Sequence, residues 1–147
     1  MSVDVTVQRT IDRPREAVAR FAMDPANDTR WITALHSVRK LTDGPLRPGT
    51  RVERVASFLG KRMEYVNEVV THQPDARLVM RSVKAPFAMT ITYEFEDAPA
   101  GTVARIRAEG DAAGFYRLAV PLLSAATRRS IEKDLDTLKE LLETERD

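Results

Sequence analysis

The run Phe87-Ala88-Met89-Thr90-Ile91-Thr92-Tyr93-Glu94-Phe95-Glu96, the cluster Asp97-Ala98-Pro99-Ala100-Gly101 and the run Thr102 to Gly110 together decide the fold class. In the first run Phe87, Met89, Ile91, Tyr93 and Phe95 share one face. Ala88, Thr90, Thr92, Glu94 and Glu96 share the other, which is the period of a strand with one dry and one wet side. The last run places Ala104, Ile106, Ala108 and Gly110 on one side and Val103, Arg105, Arg107 and Glu109 on the other. Glu94 and Glu96 are therefore expected to face Arg105 and Arg107 across a hairpin. A turn this short permits antiparallel pairing and excludes a parallel crossover, which needs a dozen or more residues.

Upstream, the same pattern repeats. Between Thr33 and Asp111, β-like runs are separated by Thr42-Asp43-Gly44-Pro45, Gly60-Lys61, Gln73-Pro74-Asp75, Ala85-Pro86 and the cluster at 97–101. Six strands in an antiparallel meander follow. Met63, Tyr65, Asn67 and Val69 form the expected inner set of one strand, against Glu64 and Glu68, and Leu78 and Met80 continue it. Val3, Val5 and Val7 predict a further strand at the start of the chain. After it, Asp12, Pro14 and Glu16 open a short helix carrying Val18, Phe21 and Ala22. Asp24-Pro25 stops that helix and starts a second one, with Asp24 as its cap, ending near Trp31. Downstream, a long helix is expected from about Leu118 to Glu143, with Ile131, Leu135, Leu138 and Leu142 on one stripe and Lys139 and Glu140 outside. Such a helix is about 40 Å long, enough to cross the concave face of a bent sheet. Pro121 either lies at the start of the regular helix or kinks it. The residues from Thr144 to Asp147 read as a frayed end.

With 147 residues the chain is expected to form one domain, 1–147, large enough for a core without staples. Cysteine is absent, so disulfides are excluded. Hydrophobic content of 43% with 31% charged residues argues against disordered and fibrous classes. A formal net charge of +1 gives no field favouring nucleic acid or an anionic membrane. No apolar run approaches 18 residues and the start lacks a signal-peptide pattern, so no transmembrane segment and a cytoplasmic location are expected. For the same reason the acceptor pattern Asn27-Asp28-Thr29 carries no glycosylation reading. Two separated histidines, His36 and His72, with no cysteine build no standard zinc site, and no phosphate loop or nucleophile elbow occurs. No metal and no cofactor are expected. Arg outnumbers Lys, as expected of a high-GC bacterial genome.

Near the start of the long helix, Ser124, Ala125, Ala126 and Thr127 leave little side-chain volume. They either seat the helix close to the sheet or roof a cavity. Met63, Tyr65, Met80, Met89 and Tyr93 on facing strands are adaptable thioethers and amphipathic rings, suited to apolar ligands of varied shape.

The order of one strand, two short helices, six strands and a long C-terminal helix resembles the START/Bet v 1-like (SRPBCC) superfamily, in particular its polyketide cyclase/dehydrase and lipid transport branch. The residues carrying the likeness are Val5-Thr6-Val7 through Ile11-Asp12-Arg13-Pro14 with Val18 and Phe21, then Asp24-Pro25 to Trp31. Leu41-Thr42-Asp43-Gly44-Pro45 with Pro48-Gly49-Thr50, and Asp134-Leu135 to Leu138-Lys139, complete them. The resemblance implies an α+β helix-grip fold, a strongly bent seven-stranded antiparallel sheet wrapped around the long helix, and a pocket for a hydrophobic small molecule. It also places Trp31 near the cavity mouth, whereas burial alone makes Trp31 an anchor for the two short helices.

The expected ligand-binding residues are Trp31, Met63, Tyr65, Asn67, Met80, Met89 and Tyr93, with the tyrosines and Asn67 orienting a lipid or polyketide-like ligand. The alternative is a cyclase or dehydratase in which His36, Tyr65 or Tyr93 moves protons. No internal pair of carboxylate and base is evident, which weighs against that alternative. A third possibility is a protein-interaction module, with the chain a monomer or homodimer. Arg54 lies in a strand of undecided parity; inside a cavity it would suit an anionic group.

Overall fold

The computed structural model describes residues 2–85, 88–111 and 120–145. Strand β1 (Ser2–Ile11) leads to helix α1 (Arg15–Met23), then a 3-10 turn (Pro25–Asn27) that runs directly into helix α2 (Asp28–Trp31). Strands β2 (Leu35–Lys40), β3 (Arg51–Phe58), β4 (Lys61–Gln73), β5 (Arg77–Lys84), β6 (Met89–Ala98) and β7 (Gly101–Asp111) follow, and helix α3 (Val120–Thr144) closes the order. The seven strands form one antiparallel sheet in the order β1-β7-β6-β5-β4-β3-β2, so the first strand pairs with the last. Register shifts between Val66 and Asn67 and between Val69 and Thr71, opposite β5, add local bends. The sheet curls into a half-barrel, and α3 packs against β1 inside the curl.

Local chemistry accounts for the joints. The Asp24 carboxylate accepts from the Ala26 amide at 2.9 Å, capping the 3-10 turn with Pro25 in its first turn. Pro121 lies in the first turn of α3, where an N–H would have no intrahelical partner. Gly101 turns β6 into β7 at φ +127°, and a Cβ there would stand 2.2 Å from the Ile11 carbonyl oxygen. Only glycine lets this turn lie against the end of β1. Beside it, the buried Thr102 hydroxyl donates to the Arg13 carbonyl at 2.7 Å.

The expected stripe of α3 is in place: Ile131, Leu135, Leu138 and Leu142 are buried against Val5, Val7, Ile11, Phe95 and Ala104 in the core. Three expectations need correction. Arg105 does meet Glu94 and Glu96, at 4.0 and 3.1 Å, but Arg107 stands opposite Thr92. It pairs instead with Asp4 of β1 at 2.8 Å and with Glu109 at 3.4 Å, because β7 has β1 as its other neighbour. The end of the chain is tied as far as Glu145: its carboxylate accepts from Arg30 at 2.8 and 2.9 Å, and its carbonyl accepts from Arg13 at 2.8 Å. Among Ser124, Ala125, Ala126 and Thr127, only Thr127 lines the space beneath α3. The face turned to the sheet is set by helical period and runs through Leu123, Thr127, Ser130, Ile131 and Asp134. Phe87, assigned to the dry face from sequence, and Leu118, assigned to the helix start, lie outside the described residues.

Candidate functional site

Between the bent sheet and the first half of α3 lies a cavity of about 190 Å³ with a predominantly apolar lining. The strands bring to it Val3 of β1, Ala56 and Phe58 of β3, Met63 of β4, Ser82 of β5, Met89 of β6 and Gly110 of β7. These positions lie at the same end of the sheet, as antiparallel alternation requires, and Leu123 from the start of α3 joins them there. Farther in stand Trp31, Arg54, Tyr65, Asn67, Met80 and Tyr93. Thus the seven side chains singled out from the sequence, Trp31, Met63, Tyr65, Asn67, Met80, Met89 and Tyr93, surround one space. An engineered apolar cavity of roughly 150 Å³ holds benzene, so this volume suits a molecule of one or two rings.

Trp31 is both anchor and wall. It is 1% exposed and meets the Tyr93 ring edge-on, with centroids 5.7 Å apart at 62°. Its Nε1–H is a buried donor with no hydrogen-bond partner among the described residues. Leaving a buried donor unpaired costs about 1 to 3 kcal/mol. The side chains of Tyr65, Asn67 and Tyr93 likewise bond to no other described residue. Burial pushes both phenols above their ordinary range, so they are neutral donors near pH 7.

Arg54 enters the site, on the inner face of β3, because the β3–β4 register sets it opposite Tyr65 while Val52 and Ala56 stand opposite Asn67 and Met63. The anionic partner expected for it is supplied from within the chain. Arg54 Nε and Nη2 both donate to Asp28 Oδ2, at 2.9 and 2.7 Å, with the two side chains 5% and 2% exposed. Arg54 Nη1 points to the Met80 sulfur at 3.8 Å. Burial raises the Asp28 carboxyl to about 6; Arg54 opposes that rise and Asp24 adds to it. The pair is therefore ionised and self-neutralising at pH 7.

A second carboxyl, Asp134 of α3, also lines the cavity. Its Oδ1 accepts from the Thr33 amide at 3.0 Å and the Thr33 hydroxyl at 3.1 Å, and burial lifts it to about 6 against those hydrogen bonds. The interior thus holds two carboxyls that the sequence reading did not place there, Asp28 bonded to Arg54 and Asp134 bonded to Thr33. Asp134 carried a legible signal, an acid on the apolar stripe Thr127, Ile131, Leu138. Asp28 carried none, since an acid in the first turn of a short helix reads as solvated.

His36 stands elsewhere. It is exposed on β2, with Nε2 2.6 Å from Ser57 Oγ, and is absent from the cavity lining. His72 is half-buried near the β4–β5 turn, beside Asp75 and Lys40 in a separate surface groove. Among the described residues no group of three His, Asp or Glu is placed to hold a metal ion, and no helix is long and apolar enough to cross a membrane.

A family model described as polyketide cyclase / dehydrase and lipid transport matches residues 2–143. No curated protein sequence matches the chain. Among solved structures, TTHA0849 from Thermus thermophilus is similar at 20% identity and a TM-score of 0.82, covering 100% of both chains. The Zhui aromatase/cyclase from a Streptomyces species is similar at 17% identity and a TM-score of 0.79, covering 96% of this chain and 93% of its own. Ara h 8.0201 is similar at 12% identity and a TM-score of 0.71, over 96% and 97%. At identities this low, these TM-scores establish a common fold and nothing beyond it.

Proposed function

The chain belongs to the polyketide cyclase/dehydrase and lipid transport family, and from that premise we propose that it binds a small hydrophobic molecule in the cavity between its sheet and α3. The observation that supports this reading most is the cavity itself: apolar walls with a few polar groups at its inner end, the usual make-up of a small-molecule site. Entry of a ligand would remove apolar surface from water at about 25 cal/mol per Å². Trp31, Met63, Met80 and Met89 would supply the contact surface, and Tyr65, Asn67 and Tyr93 the orientation. Native mass spectrometry of freshly purified protein tests this. A small-molecule mass that is retained under gentle conditions and released on denaturation is expected; a clean protein mass, with no affinity for any apolar probe, overturns the reading. Met89→Trp, which fills the space, is expected to abolish probe binding, and unchanged binding of every probe would refute the site assignment.

A second reading, a cyclase or dehydratase, is favoured by Asp134, a cavity carboxyl poised near neutrality. It expects turnover of an aromatic or polyketide-like intermediate that Asp134→Asn or Tyr65→Phe slows at least about tenfold, in line with the usual size of general acid–base effects. Undiminished turnover in both variants removes them from the chemistry.

A further inference from the structure

We propose, resting on the binding reading above, that the Asp28–Arg54 ion pair is a fixed wall between two hollows of the half-barrel and thereby sets the length of the molecule that the cavity accepts. The second hollow is the groove of about 650 Å³ walled by Met23 of α1, Pro25 and Ala26 of the 3-10 turn, Val38 of β2 and His72 of β4. Among the described residues none lines both spaces. Two independent rows of residues lead from one hollow to the other, and both cross at the pair. On the sheet, Val38, Arg54 and Tyr65 stand side by side on β2, β3 and β4 and share the inner face. Val38 lines the groove and Tyr65 the cavity. Along the short helices, Pro25 and Ala26 line the groove and Trp31 the cavity, with Asp28 between them in the chain.

The wall is held rigidly. All three guanidinium nitrogens of Arg54 are engaged, Nε and Nη2 on Asp28 Oδ2 at 2.9 and 2.7 Å and Nη1 on the Met80 sulfur at 3.8 Å. With side chains 5% and 2% exposed, neither partner has water to turn to. A wall of methionines would yield to a long apolar ligand by changing rotamers. This one does not, because a chain passing between Asp28 and Arg54 would leave two buried charges uncompensated, a cost that exceeds what several methylenes gain by burial. Such a pair adds little stability over an apolar core of the same volume. Its place at the junction is accounted for by what it excludes: a molecule of one or two rings fits the 190 Å³ in front of it, and a longer one meets the guanidinium.

Methyl NMR of methionine-labelled protein, titrated with 4-n-alkylphenols from ethyl to octyl, tests the proposal, since Met80 and Met89 line the cavity and Met23 lines the groove. In wild type every member that binds is expected to shift Met80 and Met89 and to leave Met23 unmoved, and affinity is expected to stop rising before the octyl member. Asp28→Ala/Arg54→Leu removes both charges together and the bulk of the guanidinium. In it the long members are expected to shift Met23 as well, and affinity to keep rising by about fourfold per added methylene. A Met23 signal that follows the probes in wild type, or a length limit and a Met23 signal unchanged in the double variant, overturns the inference while leaving the binding site standing. Failure of every alkylphenol to bind counts against the cavity as a binding site and removes the inference with it. If the double variant does not fold, the wild-type spectra decide: Met23 unmoved beside a shifted Met80 upholds the wall, and Met23 moving with Met80 removes it.

Discussion

Asp28 and Arg54 depend on each other for being buried. Arg54→Met leaves a carboxylate that is 1% exposed with no cation against it, and is expected to lower the unfolding free energy by about 3 to 5 kcal/mol. The double variant Asp28→Leu/Arg54→Met removes both charges and is expected to recover most of that loss, because a buried pair is offset by its own desolvation. Urea midpoints of the two variants decide it, and equal losses would show that the pair itself stabilises the fold. Asp134 gives a pH-dependent expectation. Its carboxyl rises from 3.8 to about 6 on folding, so between those values the native state holds more protons than the unfolded one. Stability from this group is present below about pH 4 and is lost as pH rises through 6. Asp134→Asn, neutral throughout, is expected to gain roughly 2 kcal/mol on wild type between pH 4 and pH 7. Melting curves at the two pH values measure this; a gap that stays constant refutes it.

At the scale of elements, two turns in the same sheet ask different things of their residues. Leu59 and Gly60 join β3 to β4 with φ of 51° and 78°, both left-handed, as a two-residue hairpin turn requires. Leucine is strained there and, being 45% exposed, is only partly packed. Leu59→Asn is expected to stabilise the protein by about 1 kcal/mol. Gly101→Ala is expected to do the opposite, by about 3 kcal/mol or more, since a methyl would meet the Ile11 carbonyl and the Arg13 amide. Thermal unfolding of the two variants should move in opposite directions, and a shift in the same direction would contradict the turn geometry.

At the scale of the whole molecule, α3 divides the interior in two. Its later half, through Leu135, Leu138 and Leu142, is packed solid against β1 and its neighbours. Its earlier half presents Leu123, Thr127 and Ser130 to open space. The hollow half is where a ligand would add stability that the chain lacks by itself. At a free concentration about one hundred times its dissociation constant, a cavity ligand is expected to raise the unfolding free energy by about 2.7 kcal/mol. Melting temperature followed against concentration of 2-acetylnaphthalene in wild type and in Met89→Trp reads this directly: a rise in wild type alone is expected, and an equal rise in both would place the ligand elsewhere.

Period and punctuation in the sequence determined the strands, the antiparallel meander, the two short helices and the long closing helix, because alternation at two and recurrence at three or four are local properties of the chain. They also determined which faces of β4, β6 and β7 turn inward, and hence most of the cavity wall. Tertiary structure alone decided the rest. Arg54 sits in Val52-Glu53-Arg54-Val55-Ala56, where either face is apolar enough to turn inward, and the β3–β4 register chose. Arg107 found Asp4 because the first strand closes onto the last, a pairing more than a hundred residues apart. Asp28 lies in the first turn of a short helix, where an acid reads as solvated, while Asp134 lies on the apolar stripe of α3; only when α2 and α3 carry them into the interior does loss of water, a long-range effect, give each its altered chemistry.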